Sequence, residues 1–165
     1  MVDFEQIDIV DENNNVIGTT DATTAHAQKL THRIVGVFVF DEDENLYVQT
    51  GNKYGKYDLS VGGHVRKGES YEEAAQREML EEIGLELPLK HVATFLPKNT
   101  RLNHFWAIYE TTAPAGWKFS ETQEVKSLEK MKMSDIFAAM NTDPKTFTHG
   151  FLNVMKEFVR VKGGQ

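Results

Sequence analysis

Residues 63–85 read GHVRKGESYEEAAQREMLEEIGL, and the rest of the chain is organised around this stretch. Ser70 followed three residues later by Glu73 is a capping-box pattern. Tyr71 to Ile83 contains neither Gly nor Pro, Gly84 is suited to a left-handed terminator, and Pro88 lies just beyond. The stretch therefore predicts one helix of about three to four turns. Glu78, Glu81 and Glu82 fall at i, i+3 and i+4, which places their carboxylates on one side of it. Three like charges held together repel, and an oxygen-seeking divalent cation relieves the repulsion. Mg²⁺ is the first expectation and Mn²⁺ the alternative. The competing reading is a solvated acidic surface, and it is adopted for Glu72, Glu73 and Glu86. For the other three, Arg77 embedded among acids and the flanking turns Gly62-Gly63 and Gly68-Glu69 favour a metal site.

The spacing Gly63, Glu69, Arg77-Glu78, Glu81-Glu82, Gly84, Leu85 satisfies every defined position of G-x5-E-x7-R-E-U-x-E-E-x-G-U, where U is apolar. The segment thus resembles the Nudix box. The resemblance implies an α/β/α sandwich with a mixed central sheet. It also implies a Mg²⁺-dependent hydrolase acting on a nucleoside diphosphate linked to another moiety, or a related organic diphosphate. By the same resemblance, the Gly62 carbonyl, Glu78, Glu81 and Glu82 are the expected metal ligands, and Gly63, Glu69 and Arg77 brace the loop and helix. Glu78, Glu82 and Glu124 are the candidate catalytic acids, with Glu121 weighed beside Glu124 as a loop acid after the box. Lys53, Lys56, Arg101 and His64 are the candidate substrate contacts, and Lys98 is a further basic loop residue. Each lysine and arginine is also readable as an ordinary surface charge. Tyr54, Tyr57, Phe105 and Trp106 serve equally well for an organic group or for a core.

Upstream, DENNNVIGT, an Ala-His-rich segment, His32-Arg33 and YDLSVGGHV look like the Nudix branch related to isopentenyl diphosphate isomerase. This likeness covers roughly the first half of the chain and fades after Pro88. It offers His26, His32 and His64 as metal ligands of a rival enzyme. In those isomerases a catalytic cysteine directly precedes the Gly-His of the loop, and Gly62 stands at that position here. Their box is also typically degraded, whereas this one is complete, so hydrolysis is favoured over isomerisation. His26 and His32 are read as structural, because a lone histidine is more often structural than ligating, while His64 stays open. A binding module that does not turn over its ligand ranks third, since no box carboxylate is missing.

The remaining pattern is mixed. Phe4 to Val10 and Val16 to Thr20 read as an N-terminal hairpin, and Asp21 as the cap of a short helix through Lys29. RIVGVFVF, residues 33–40, is the most β-like run and reads as a central strand. Leu46 to Thr50, Tyr57 to Val61, His91 to Leu96, Asn103 to Glu110 and Val125 to Met131 are further strands. Ser134 is expected to cap a helix to Met140, and a last amphipathic helix to run from about Thr148 to Val161.

At 165 residues and 40% hydrophobic content the chain suits one domain, 1–165, with an N-terminal extension over about 1–30. A net charge of −7 disfavours nucleic acid and anionic membranes as partners and leaves a small anionic substrate open. There is no cysteine, so thiol catalysis and disulfides are excluded. No apolar run approaches membrane-spanning length and no basic-apolar leader is evident, so a cytoplasmic location is expected. A homodimer is compatible with the sequence.

Overall fold

A computed structural model describes residues 5–98 and 103–163. In order, the elements are β1 Gln6–Val10, β2 Val16–Asp21, α1 Ala22–Ala27, β3 His32–Phe40, β4 Leu46–Thr50, β5 Val61–His64, α2 Tyr71–Ile83, β6 Lys90–Phe95, β7 His104–Thr112, β8 Ser127–Met131, α3 Met133–Thr142 and α4 His149–Gly163. All eight strands join one sheet. β3 is its centre, antiparallel to β1, β4 and β5 and parallel to β7 from His32↔His104 to Phe40↔Thr112. A strand covered on both faces can carry a near-continuous apolar run, which is why RIVGVFVF does not alternate with polar residues.

The two faces of β3 enter different cores. Val35, Val37 and Val39, with Val61 of β5, meet Ala74, Ala75, Met79 and Ile83 of α2. Phe38, Trp106 and Ile108 meet Ile136 of α3 and Phe151, Val154, Met155 and Phe158 of α4. Helices therefore cover both faces of a mixed sheet, the α/β/α sandwich that the box resemblance implied.

α2 forms as its sequence indicates. Ser70 accepts from the Glu73 N–H while the Glu73 carboxylate accepts from the Ser70 N–H, and Gly84 ends the helix in the left-handed region at φ 72°. Such a cap stabilises a helix by about 1 kcal/mol. The N-terminal hairpin is integral to the sheet, since β1 pairs with β3 through Ile9↔His32.

Several boundaries differ from the sequence reading. Gly62-Gly63 is strand rather than turn, paired with Gly36 and Val35. Gly63 serves close approach of the Glu78 side chain, not a reversal of the chain. Tyr57 and Asp58 make only isolated bridges, so the strand delivering the loop begins at Val61. α1 stops at Ala27, two residues before Lys29 turns left-handed at φ 55°. Lys132, not Ser134, is the N-cap of α3, and it makes no side-chain cap bond. β8 starts at Ser127 rather than Val125, whose N–H is drawn away to the Thr122 hydroxyl.

Candidate active site

Arg77 is the hub that orients the acids. Its Nε and Nη2 donate to the two oxygens of Glu69 at 2.8 and 3.0 Å, and Nη2 also donates to the His64 carbonyl at 3.0 Å. Nη1 donates to Glu78 Oε1 at 2.9 Å and to Glu81 Oε2 at 3.3 Å. One planar guanidinium thereby ties the 64–69 loop to two successive turns of α2, a geometry that a lysine ammonium cannot reproduce. Glu69 also accepts from the Arg66 N–H at 2.9 Å. Burial pushes Glu69 up, but the Arg77 bonds outweigh it and hold its carboxyl below the ordinary range.

Glu78, Glu81 and Glu124 converge, each offering a carboxylate oxygen within 4.8 Å of the others. Glu124 comes from the loop before β8. That loop is fastened to the end of α2 by the Thr122 hydroxyl, which donates to the Glu82 carbonyl at 2.8 Å. Glu82 is buried and turned toward β5, where its Oε1 accepts from the Gly62 N–H and from Gln49 Nε2, both at 3.0 Å. Gly62 thus meets the acidic group through its N–H. Gly63 lies directly against the Glu78 carboxylate, with no room for a Cβ. Glu121 instead pairs with Lys126 at the surface, 2.7 Å away.

Crowding leaves a thermodynamic mark. Burial raises Glu78 to about 7, against the opposing pull of Arg77, and raises Glu82 to about 8. Because the folded-state value of Glu82 lies above its ordinary 4.5, folding takes up a proton there, and stability falls as pH rises from about 4.5 through 8. In chelator-treated protein, wild-type Tm is expected to drop across this window relative to Glu82→Gln, as measured by thermal unfolding. Parallel curves for the two proteins would refute the assignment. The comparison with the variant matters because buried histidines contribute with the opposite sign.

Those histidines form a second grouping. His26 of α1, His32 of β3, His64 of β5 and His104 of β7 each bring a ring nitrogen within 4.8 Å of the others. His26 and His32 therefore lie beside two further histidines rather than standing alone. The strand pairing His32↔His104 creates half of the cluster. Burial lowers His32 to about 4 and His104 to about 3, and both rings are neutral at neutral pH.

Of the remaining candidates, Lys53 is exposed and lies over the Tyr54 ring at 5.0 Å, and Lys56 follows in the same Asn52-centred turn. Neither makes an ion pair with the acids among the described residues. Arg101 lies outside the described residues. Tyr57 and Trp106 pack into the core beneath α4. His104, Gln49 and Glu5, which holds His64, were not singled out from sequence, since only strand pairing brings them to their partners.

Comparison with known proteins places the chain. Residues 30–151 match the NUDIX domain model, and the chain belongs to the Nudix family. An isopentenyl-diphosphate Delta-isomerase from Serratia proteamaculans is 31% identical over 163 residues, covering 93% of this chain and 90% of that protein. A Nudix hydrolase from Deinococcus radiodurans is 32% identical over 122 residues, covering 69% and 71%. The crystal structure of DR0079 from Deinococcus radiodurans superposes with a TM-score of 0.77 at 26% identity, covering 95% of this chain and 99% of that one. Among the described residues no helix is long and apolar enough to cross a membrane.

Proposed function

We propose that the protein hydrolyses a phosphoanhydride bond of an organic diphosphate, a nucleoside diphosphate linked to a second moiety being the first substrate class, with a divalent cation as cofactor. The observation that carries this reading is the convergence of the Glu78, Glu81 and Glu124 carboxylates within 4.8 Å. Hard oxygen donors fit Mg²⁺ or Mn²⁺. When bound, the cation supplies charge neutralisation on the phosphates and acidifies the attacking water.

Glu78 and Glu81, aimed by Arg77, would hold the cation. Glu82 fixes β5 through the Gly62 N–H and keeps the loop at a set distance from α2. Glu124, carried on the loop before β8, takes the proton of the attacking water. The water oxygen bonds to phosphorus as the bridging P–O bond breaks, and the departing phosphate oxygen keeps the electron pair. Lys53 and Lys56 are the proposed phosphate contacts, on the grounds of charge and loop position.

The similarity to a protein that isomerises isopentenyl diphosphate supports an organic diphosphate as ligand. The chemistry of a thiol is not available to this chain, which has Gly62 at the cysteine position and no cysteine anywhere. Hydrolysis is therefore preferred to isomerisation.

The test is release of phosphate or nucleoside monophosphate from a panel of diphosphate derivatives with Mg²⁺. Glu124→Gln is expected to lower kcat by about a hundredfold, the lower end for a general base, with a smaller change in KM. Glu81→Gln is expected to raise the Mg²⁺ concentration needed for half-maximal rate. No turnover across the panel, or conversion of isopentenyl to dimethylallyl diphosphate, would overturn the reading.

A further inference from the structure

We propose that Arg66 is a phosphate-binding residue of the carboxylate site, its guanidinium taking non-bridging oxygens of the diphosphate held at Glu78, Glu81 and Glu124. The inference rests on the placement of a diphosphate at that site in the hydrolase reading, and adds a contact that the sequence did not single out. Arg66, Glu81, Thr122, Gln123 and Glu124 line one cavity of about 510 Å³. Arg66 is the basic side chain among them, and Lys53 and Lys56 are not part of this lining.

The backbone at Arg66 is fixed. Its N–H donates to Glu69 Oε2 at 2.9 Å, and its carbonyl accepts from the Glu69 N–H at 3.0 Å. It bridges to Ile7, and the next N–H, that of Lys67, donates to the Gln6 carbonyl at 2.8 Å. The side chain is far less engaged. Nε donates to Glu5 Oε1 at 3.2 Å, while Nη2 stands 4.0 Å from Glu81 Oε1, too far for a hydrogen bond. Among the described residues the bond to Glu5 is the one side-chain hydrogen bond that Arg66 makes, and its side chain is 48% exposed.

Glu81 thus stands between two arginines with different roles. Arg77 is 17% exposed and commits its donors to Glu69, Glu78, Glu81 and the His64 carbonyl. Arg66 keeps both Nη groups for a ligand. An exposed pair at 4.0 Å adds little stability, so stability does not account for this guanidinium at the mouth of an acidic cavity. Once a cation occupies Glu81, Arg66 is left facing the cavity with its charge unneutralised. Phosphate oxygens fit its planar fork two N–H groups at a time, and Glu5 on Nε fixes the plane of the fork.

The experiment is calorimetric binding of methylenediphosphonate, a diphosphate analogue whose P–C–P bridge resists hydrolysis, to the full-length protein in Mg²⁺. Wild type is expected to bind it, and Arg66→Gln to bind it about 10–100-fold more weakly, the range for losing a charged hydrogen-bond donor. Arg66→Lys is expected to fall between them, because an ammonium keeps the charge without the fork. Tm should stay close to wild type in both variants, since the side chain is half-exposed and its ion pairs are weak. A merely structural Arg66 would lower Tm and leave the affinity alone. With a hydrolysed substrate, Arg66→Gln should raise KM by a similar factor with a smaller change in kcat. Analogue binding that depends on Arg66 in a protein that turns over nothing would sink the hydrolase reading and support this one. Unchanged analogue affinity in Arg66→Gln, or no binding to wild type, would overturn the proposal whatever the rate of hydrolysis.

Discussion

Arg77→Met is expected to destabilise the protein by about 3–5 kcal/mol, the cost of removing one partner from a buried ion pair. The arginine makes five hydrogen bonds, four to carboxylates, and the side chains of Glu69 and Glu78 are only 14% and 9% exposed. Without the guanidinium, two poorly solvated carboxylates and the His64 carbonyl lose their donor together. Arg77→Lys is expected to recover only a minor part, because an ammonium cannot serve Glu69, Glu78 and the loop carbonyl at once. Urea unfolding checks this: the midpoint should fall with the slope unchanged. Saturating Mg²⁺ should restore part of the loss in Arg77→Met, since a cation on Glu78 and Glu81 replaces some of the missing positive charge. A midpoint that does not move would show that Arg77 is not the hub of the site.

The parts of this architecture legible in the sequence are those decided locally. The capping box, the Gly-free run and Gly84 define α2 within about twenty residues, and the i, i+3, i+4 spacing of its acids follows from helix geometry alone. RIVGVFVF was readable as a central strand for a similar reason, since its apolar run exceeds what a half-exposed strand needs. Pairing partners were not readable. Nothing local announces that β7 lies parallel to β3 in the register that sets His104 beside His32, or that Gln49 of β4 reaches Glu82. Gly62-Gly63 illustrates the ambiguity of glycine, which marks a turn or a close approach with the same residue. Glu121 and Glu124 have identical chemistry at nearby positions. With the Thr122 bond fastening their loop to the end of α2, Glu124 stands against Glu78 and Glu81 while Glu121 pairs with Lys126.

Gly63→Ala is expected to lower the proposed hydrolysis sharply while Gly62→Ala is tolerated, although the two glycines are adjacent in one strand. A Cβ on Gly63 would sit inside contact distance of the whole Glu78 carboxylate, 2.7 Å from Oε2 and nearer to the other two atoms. Glu78 cannot yield easily. It is held by Arg77 on one side and buried beneath α2 on the other, so either the carboxylate leaves its place among Glu81 and Glu124 or β5 moves away from the helix. Overpacking of this kind costs about 1–3 kcal/mol. Displacing a group by about an ångström lowers rates by about a hundredfold, and here a proposed cation ligand is displaced as well, so a loss of about a thousandfold or more is expected. On Gly62 the same methyl meets the Val35 carbonyl at 3.5 Å and Leu59 Cδ1 at 3.9 Å, which are ordinary contacts. Its N–H remains available to Glu82, so Gly62→Ala should retain most of the wild-type rate and Tm. Steady-state kinetics with Mg²⁺ and thermal unfolding of both variants separate the outcomes. Equal losses would mean that general strand rigidity, rather than the approach of Glu78 to Gly63, governs the site.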